Sequence, residues 1–158
     1  MSLTDLIWLS TMAYGLHMLE EFMLNWRDWA RAVIGLPVSW QDFYVVNSLV
    51  VVLGIVAANL AAVSPNVALG FAALMIINAV FFHLAPFIWT RGRFSPGLFT
   101  AIILLLPTGI ATYLSARDSG VLDASAIVVS AAIGALLMAT PIILLRIAPR
   151  PYFRQDVT

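Results

Sequence analysis

The sequence has no cysteine, and none of its eight basic residues is a lysine. Without cysteine there is no disulfide, no thiolate nucleophile and no thiolate-held zinc or iron–sulfur site. Charge is scarce as well. Only 10% of residues are charged and the formal net charge is zero, so nothing electrostatic points to nucleic acid or to an acidic partner. No arginine precedes Arg27, so the positive leading segment of a secretory signal is not expected. What fills the chain is apolar. Hydrophobic residues make up 62% of it, well above an ordinary soluble domain. A chain of 158 residues cannot hide that much apolar surface in one small core, so lipid must solvate much of it.

A membrane-spanning helix needs about 20 mostly apolar residues. Five stretches qualify, at roughly 3–26, 43–63, 67–90, 97–115 and 124–147. Turn-forming segments separate them: Ser64-Pro65-Asn66, the run from Arg91 to Gly97, and Arg117-Asp118-Ser119-Gly120. The expectation is one all-α domain over 1–158, a polytopic bundle of five transmembrane helices. The longest connection, 27–42, carries Trp29 and Trp40 with Arg27 and Arg31 and follows Trp26, which reads as an amphipathic interfacial segment. A loop that simply packs its tryptophans is the plainer alternative. Arg27, Arg31, Arg91, Arg93, Arg146, Arg150 and Arg154 fall on one side and Arg117 alone on the other. That asymmetry predicts a cytoplasmic C-terminus and, with five spans, an N-terminus outside.

The first span contains residues foreign to lipid: His17, Glu20 and Glu21. A charged group near the bilayer centre costs roughly 2.5–3.5 kcal/mol on insertion scales. Spacings of three and four residues put all three on one helix face. Ser10, Ala13 and Tyr14 continue that face as a small, weakly polar packing surface. The other histidine, His83, lies in the third span. His17 is about 14 residues and His83 about 16 from the outer ends of parallel helices, so the two share a level in the cytoplasmic half. Asn47, Thr100 and Thr140 are placed at a similar level from the remaining spans. Asn47 and Asn78 read more simply as interhelical hydrogen-bonding residues, Asn78 turned toward a different neighbour from His83. Pro86 and Pro141 deprive the carbonyls of Phe82 and Leu137 of their helical donors. A kink satisfied by a neighbouring helix is the simpler reading of both. In Phe94-Ser95-Pro96-Gly97, Ser95 is expected as N-cap and Pro96 as first helical residue of the fourth span. The free amides there would suit an anionic headgroup.

The run His17-Met18-Leu19-Glu20-Glu21 resembles the HXXEE family of small bacterial membrane proteins, which is named for this motif. The family also has a second histidine, here His83, and a Tyr-X-Pro-Gly motif, here Phe94-Ser95-Pro96-Gly97 with Phe in place of Tyr. The resemblance implies a bacterial cytoplasmic (inner) membrane location and a set of candidate residues, but no activity.

Three functional classes follow. His17, Glu20, Glu21 and His83 form a ligand set for zinc, or for iron or manganese. Three would bind, leaving Glu20 or Glu21 as general base for hydrolysis or lipid modification, with Asn47, Ser95 and Gly97 supporting the site or touching substrate. The familiar His-Glu-X-X-His spacing is absent. The second class is a metal-free proton-handling site, in which repulsion between adjacent carboxylates keeps one protonated. It would serve acid–base catalysis or proton-coupled transport, the latter requiring a homo-oligomer. The third is a structural or assembly protein whose polar layer only sets helix register. In every class the surrounding partner is membrane lipid, and nucleic acid is not expected.

Overall fold

The structure, a computed structural model, describes residues 1–150 and 152–153; Arg154, counted above for orientation, lies outside the described residues. The described residues form six helices: α1 Leu3–Met23, α2 Trp26–Val33, α3 Trp40–Leu60, α4 Pro65–Trp89, α5 Leu98–Asp118 and α6 Ala124–Ile147. No strand occurs among the described residues. α3, α4, α5 and α6 are long and apolar enough to cross a membrane. The expected five apolar spans are therefore four. α1 matches α3 in length, at 21 residues, but Asp5, His17, Glu20 and Glu21 lower its hydropathy below that of a span.

Local sequence sets the helix starts. Ser2 with Asp5, and Ser39 with Asp42, close reciprocal capping boxes on α1 and α3. Pro65 occupies the first turn of α4, where its missing N–H is no loss. The Asp123 carboxylate accepts from the Ala126 amide at 2.7 Å to begin α6.

α4 is the central helix. Over its membrane-length stretch 56% of residues are buried, against 11% for α6, and it touches α1, α3, α5 and α6. Small residues permit this: a Cβ at Gly134 of α6 would lie 2.7 Å from the Ala73 Cβ and 2.8 Å from the Leu74 amide nitrogen of α4. α1 packs on α3 and α5 through its expected small and polar face, with Ser10, Ala13, Tyr14, His17 and Glu21 buried. The Tyr14 hydroxyl donates to the Asn47 carbonyl oxygen, and the Asn47 amide donates to the Phe43 carbonyl at 2.8 Å. Asn47 thus ties α1 to α3, as the interhelical reading expects. The opposite face of α1 exposes Trp8, Leu9, Met12, Leu16, Leu19 and Met23, all apolar.

α4 and α5 each contain one widened turn. Residues Ala79–Leu84 and Ala101–Leu105 are π-helical, with the Ala85 amide reaching the Val80 carbonyl and the Leu106 amide the Ala101 carbonyl. Each widened segment is followed two residues later by a proline, Pro86 or Pro107, which cannot donate to the preceding turn. The expected kink at Pro86 takes this form, and the Phe82 carbonyl is satisfied from outside its helix by the Ser95 hydroxyl at 3.3 Å.

Within 27–42, residues to Val33 belong to α2, which is amphipathic, but its apolar face turns to the protein. Trp26, Trp29 and Ala30 are buried with Leu36, Val38 and Phe43, and Phe82, Ile142 and Leu145 pack against them. Trp26 and Trp29 therefore close the end of the bundle where α1 finishes. Arg27 lies 5.1 Å over the Trp40 ring.

Candidate metal centre

Three helix segments meet at that end: the last turns of α1, the π turn of α4 and the start of α5. His17 and His83 are fully buried and Glu21 is 4% exposed. One ligating atom from each lies within 4.8 Å of the others. Glu21 Oε1 is 3.6 Å from His17 Nε2 and 3.4 Å from His83 Nε2. Ligands on a tetrahedral zinc at 2.0–2.1 Å sit about 3.3 Å apart, close to the two carboxylate–imidazole separations. The matched depth read from the sequence is thus realised as direct contact, with the imidazoles edge-on at 4.7 Å between centroids.

Hydroxyl groups orient both rings. His17 Nδ1 is 2.9 Å from Thr100 Oγ1, and His83 Nδ1 is 3.1 Å from Ser95 Oγ. Each hydroxyl has one proton and already donates it, Thr100 to the Glu20 carboxylate at 2.6 Å and Ser95 to the Phe82 carbonyl. Each must therefore accept from the imidazole, which assigns the proton to Nδ1 and leaves a lone pair on Nε2. Both Nε2 atoms are buried without a hydrogen-bond partner. Two imidazole lone pairs and a carboxylate thus face one another with no donor among them. A buried acceptor cluster of this kind calls for a cation or added protons. An outer partner fixing Nδ1–H is also what ligating histidines ordinarily have.

Glu20 does not join this group. One residue turns a helix by about 100°, so adjacent carboxylates diverge. Glu20 accepts from the Gly97 amide at 3.1 Å, the Phe99 amide at 3.3 Å and the Thr100 amide at 2.8 Å, besides the Thr100 hydroxyl. It is the anion at the N-terminus of α5. An anion does dock there, but α1 supplies it. Ser95 is correspondingly not the N-cap, because its hydroxyl holds His83, and Pro96 precedes the helix. The cap residue is Gly97, at φ +95°. A Cβ on Gly97 would meet His83 Cε1 at 2.6 Å, His17 Cε1 at 2.8 Å and Glu21 Cγ at 3.0 Å, so this glycine forms the wall of the site. Phe94, where the motif has Tyr, packs its ring 5.1 Å from Phe99.

Thr140 departs from the expected polar layer, and Asn78 from its expected interhelical role. Thr140 bonds back to the Leu136 carbonyl of its own helix at 2.7 Å and is exposed. Asn78, expected to be interhelical glue, has a buried side-chain oxygen without a partner and lines a cavity of about 90 Å³ together with Glu21, Asn47, Trp26 and Pro141. Sequence inspection offered no signal for this cavity, because its walls come from five helices and from the α2–α3 connection.

The two glutamates have separable expected roles. Glu20→Gln removes the charge that caps α5 while keeping the side-chain shape. A lowered melting temperature is expected, from a loss of about 0.3–2 kcal/mol, with bound metal per chain unchanged. Thermal melts and metal analysis of the same preparation check it, and loss of metal without loss of stability would reverse the assignment.

A family model described as protein of unknown function with HXXEE motif matches residues 8–112. No curated protein and no solved structure matches the chain.

Proposed function

The chain belongs to the HXXEE family, and because that family carries no assigned function we propose one from the site itself: a divalent-metal centre of His17, His83 and Glu21 in a membrane enzyme acting on a lipid or small apolar substrate. The observation that carries this reading is the convergence of two buried, unpartnered Nε2 lone pairs on the Glu21 carboxylate. Two histidines and one carboxylate are a ligand set for zinc, with iron and manganese as alternatives, and three protein ligands leave a position open for water or substrate. A metal held there would polarise a carbonyl or phosphoryl oxygen or acidify a bound water. Glu20, already engaged by four donors, positions Thr100 and through it His17. Metal analysis of detergent-purified protein tests the proposal: about one divalent ion per chain supports it, and protein without metal that takes up none on titration overturns it.

A second reading rests on the same atoms. Without metal, the cluster would take up protons instead, shared among Glu21, His17 and His83, for acid–base chemistry or proton transfer. Metal-free protein whose activity or transport still depends on Glu21 would favour it.

The reading includes a topology. α1 crosses beside the four apolar spans, supported by its length and by an outer face that is apolar from Trp8 to Met23. The C-terminus is cytoplasmic, supported by the arginine asymmetry. The membrane is the bacterial cytoplasmic membrane. A reporter active only in the cytoplasm, fused after Thr158, is expected to be active, and an inactive fusion that becomes active when placed before Met1 would invert the topology.

A further inference from the structure

α3 and α6 flank α4 without packing closely on each other. Between them runs a groove of about 420 Å³, walled by Val45, Leu49 and Leu53 of α3 and by Leu144 of α6 with Ala148 just past its end. Both helices are long and apolar enough to cross a membrane, so the groove faces the bilayer under the topology above. It adjoins the smaller cavity beside Glu21: Val46, Val50, Leu137 and Pro141 line both. The groove lining is apolar apart from Gln41, Asp42 and Thr140. In the cavity two buried polar atoms lack partners, the indole N–H of Trp26 and the side-chain oxygen of Asn78. One is a donor and the other an acceptor, and Trp26 is itself only 9% exposed. Leaving such groups unpaired costs about 1–3 kcal/mol each, which a ligand able to donate and accept would recover. The cavity lining includes two carboxylates, Glu21 and Asp42, and no arginine, which disfavours an anionic head.

We propose that the ligand of this cavity is a single-chain amphiphile from the membrane with a small uncharged head that both donates and accepts a hydrogen bond, such as a primary alcohol. Its chain lies in the α3–α6 groove and its head among Trp26, Asn78 and Glu21. The inference rests on the substrate class proposed above and adds the chemistry of the head and the route of entry. Asn78 is then a specificity residue, because it distinguishes a hydroxyl from a methyl end while leaving the ligating atoms untouched.

Binding of tritiated hexadecan-1-ol to the detergent-purified full chain, followed by scintillation proximity, tests this. Saturable binding is expected, displaced by unlabelled hexadecan-1-ol and at least tenfold more weakly by hexadecane or hexadecanoate. Asn78→Leu should weaken binding tenfold or more, and Leu49→Trp, on the exposed groove wall, should do the same by obstructing the chain. Equal competition by hexadecane, or unchanged binding in Asn78→Leu, would reduce the groove to an unspecific apolar slot and overturn the proposal. Absence of binding would overturn it too, including the case in which cross-linking through Leu49→Cys shows that a second copy covers the groove. Measuring bound metal in the same samples keeps the two readings apart. Metal without alcohol binding sinks this inference alone, and alcohol binding without metal sinks only the metal centre.

Discussion

His83→Ala is expected to reduce bound divalent metal by well over tenfold. In the proposed centre His83 would supply one of three ligating atoms, and losing merely an orienting partner of a ligand costs about 10–100-fold in affinity. The substitution also opens a buried void, so some loss of stability accompanies it. Glu21→Gln separates the two effects. It keeps the volume and removes the charge that faces both Nε2 atoms, at 3.6 and 3.4 Å, so metal should be lost while the helical fold persists. Metal analysis beside circular dichroism reads both quantities. Retention of metal in both variants would mean that ions bind elsewhere. If only His83→Ala lost metal, Glu21 would not be a ligand.

Gly97→Ala is the expected severest single change. The backbone at φ +95° is costly for any residue with a Cβ, by about 1–2 kcal/mol. The added methyl would also press on His83, His17 and Glu21 at 2.6–3.0 Å. Overpacking of this kind costs about 1–3 kcal/mol, and here the displaced neighbours are the proposed ligands. A destabilised protein that no longer retains metal is expected, with Thr100 also pulled from His17 because the start of α5 must shift. Thermal melting and metal analysis measure the two losses. Normal stability with normal metal content would show that the close wall is not rigid.

Much of the site was legible because a polar group inside an apolar helix has few places to go. His17 and Glu21 share a face by helix periodicity alone, and equal depth paired them with His83 across sequence. The spacing could not divide the labour between Glu20 and Glu21. Both satisfy the same face criterion, and only the position of α5, whose first amides need an acceptor, draws Glu20 away from the histidines. Ser95 was misplaced for a similar reason. Ser-Pro-Gly before an apolar run is a sound helix start locally, but His83 competes for the hydroxyl and Gly97 takes the cap. Composition did not show that Trp26 and Trp29 pack against Leu36, Val38 and Phe43, because those contacts depend on how the α2–α3 connection folds back.

The sequence by itself determined the all-helical class, four of the five spans it led one to expect, and the membership of His17, Glu21 and His83 in one layer. Each of these follows from hydropathy or from the fixed pitch of a helix, quantities local to a segment. The polar face of α1 was equally visible, although it led to one apolar span too many. Tertiary structure alone decided which nitrogen of each imidazole is free, since that depends on hydroxyls contributed by α5 and the turn before it. It also decided the π turn that presents His83, the glycine wall that limits the site, and the cavity shared by Glu21, Asn78 and Trp26. These are properties of several helices meeting at one end of a bundle, where the partner of each polar atom is set by packing between segments far apart in sequence.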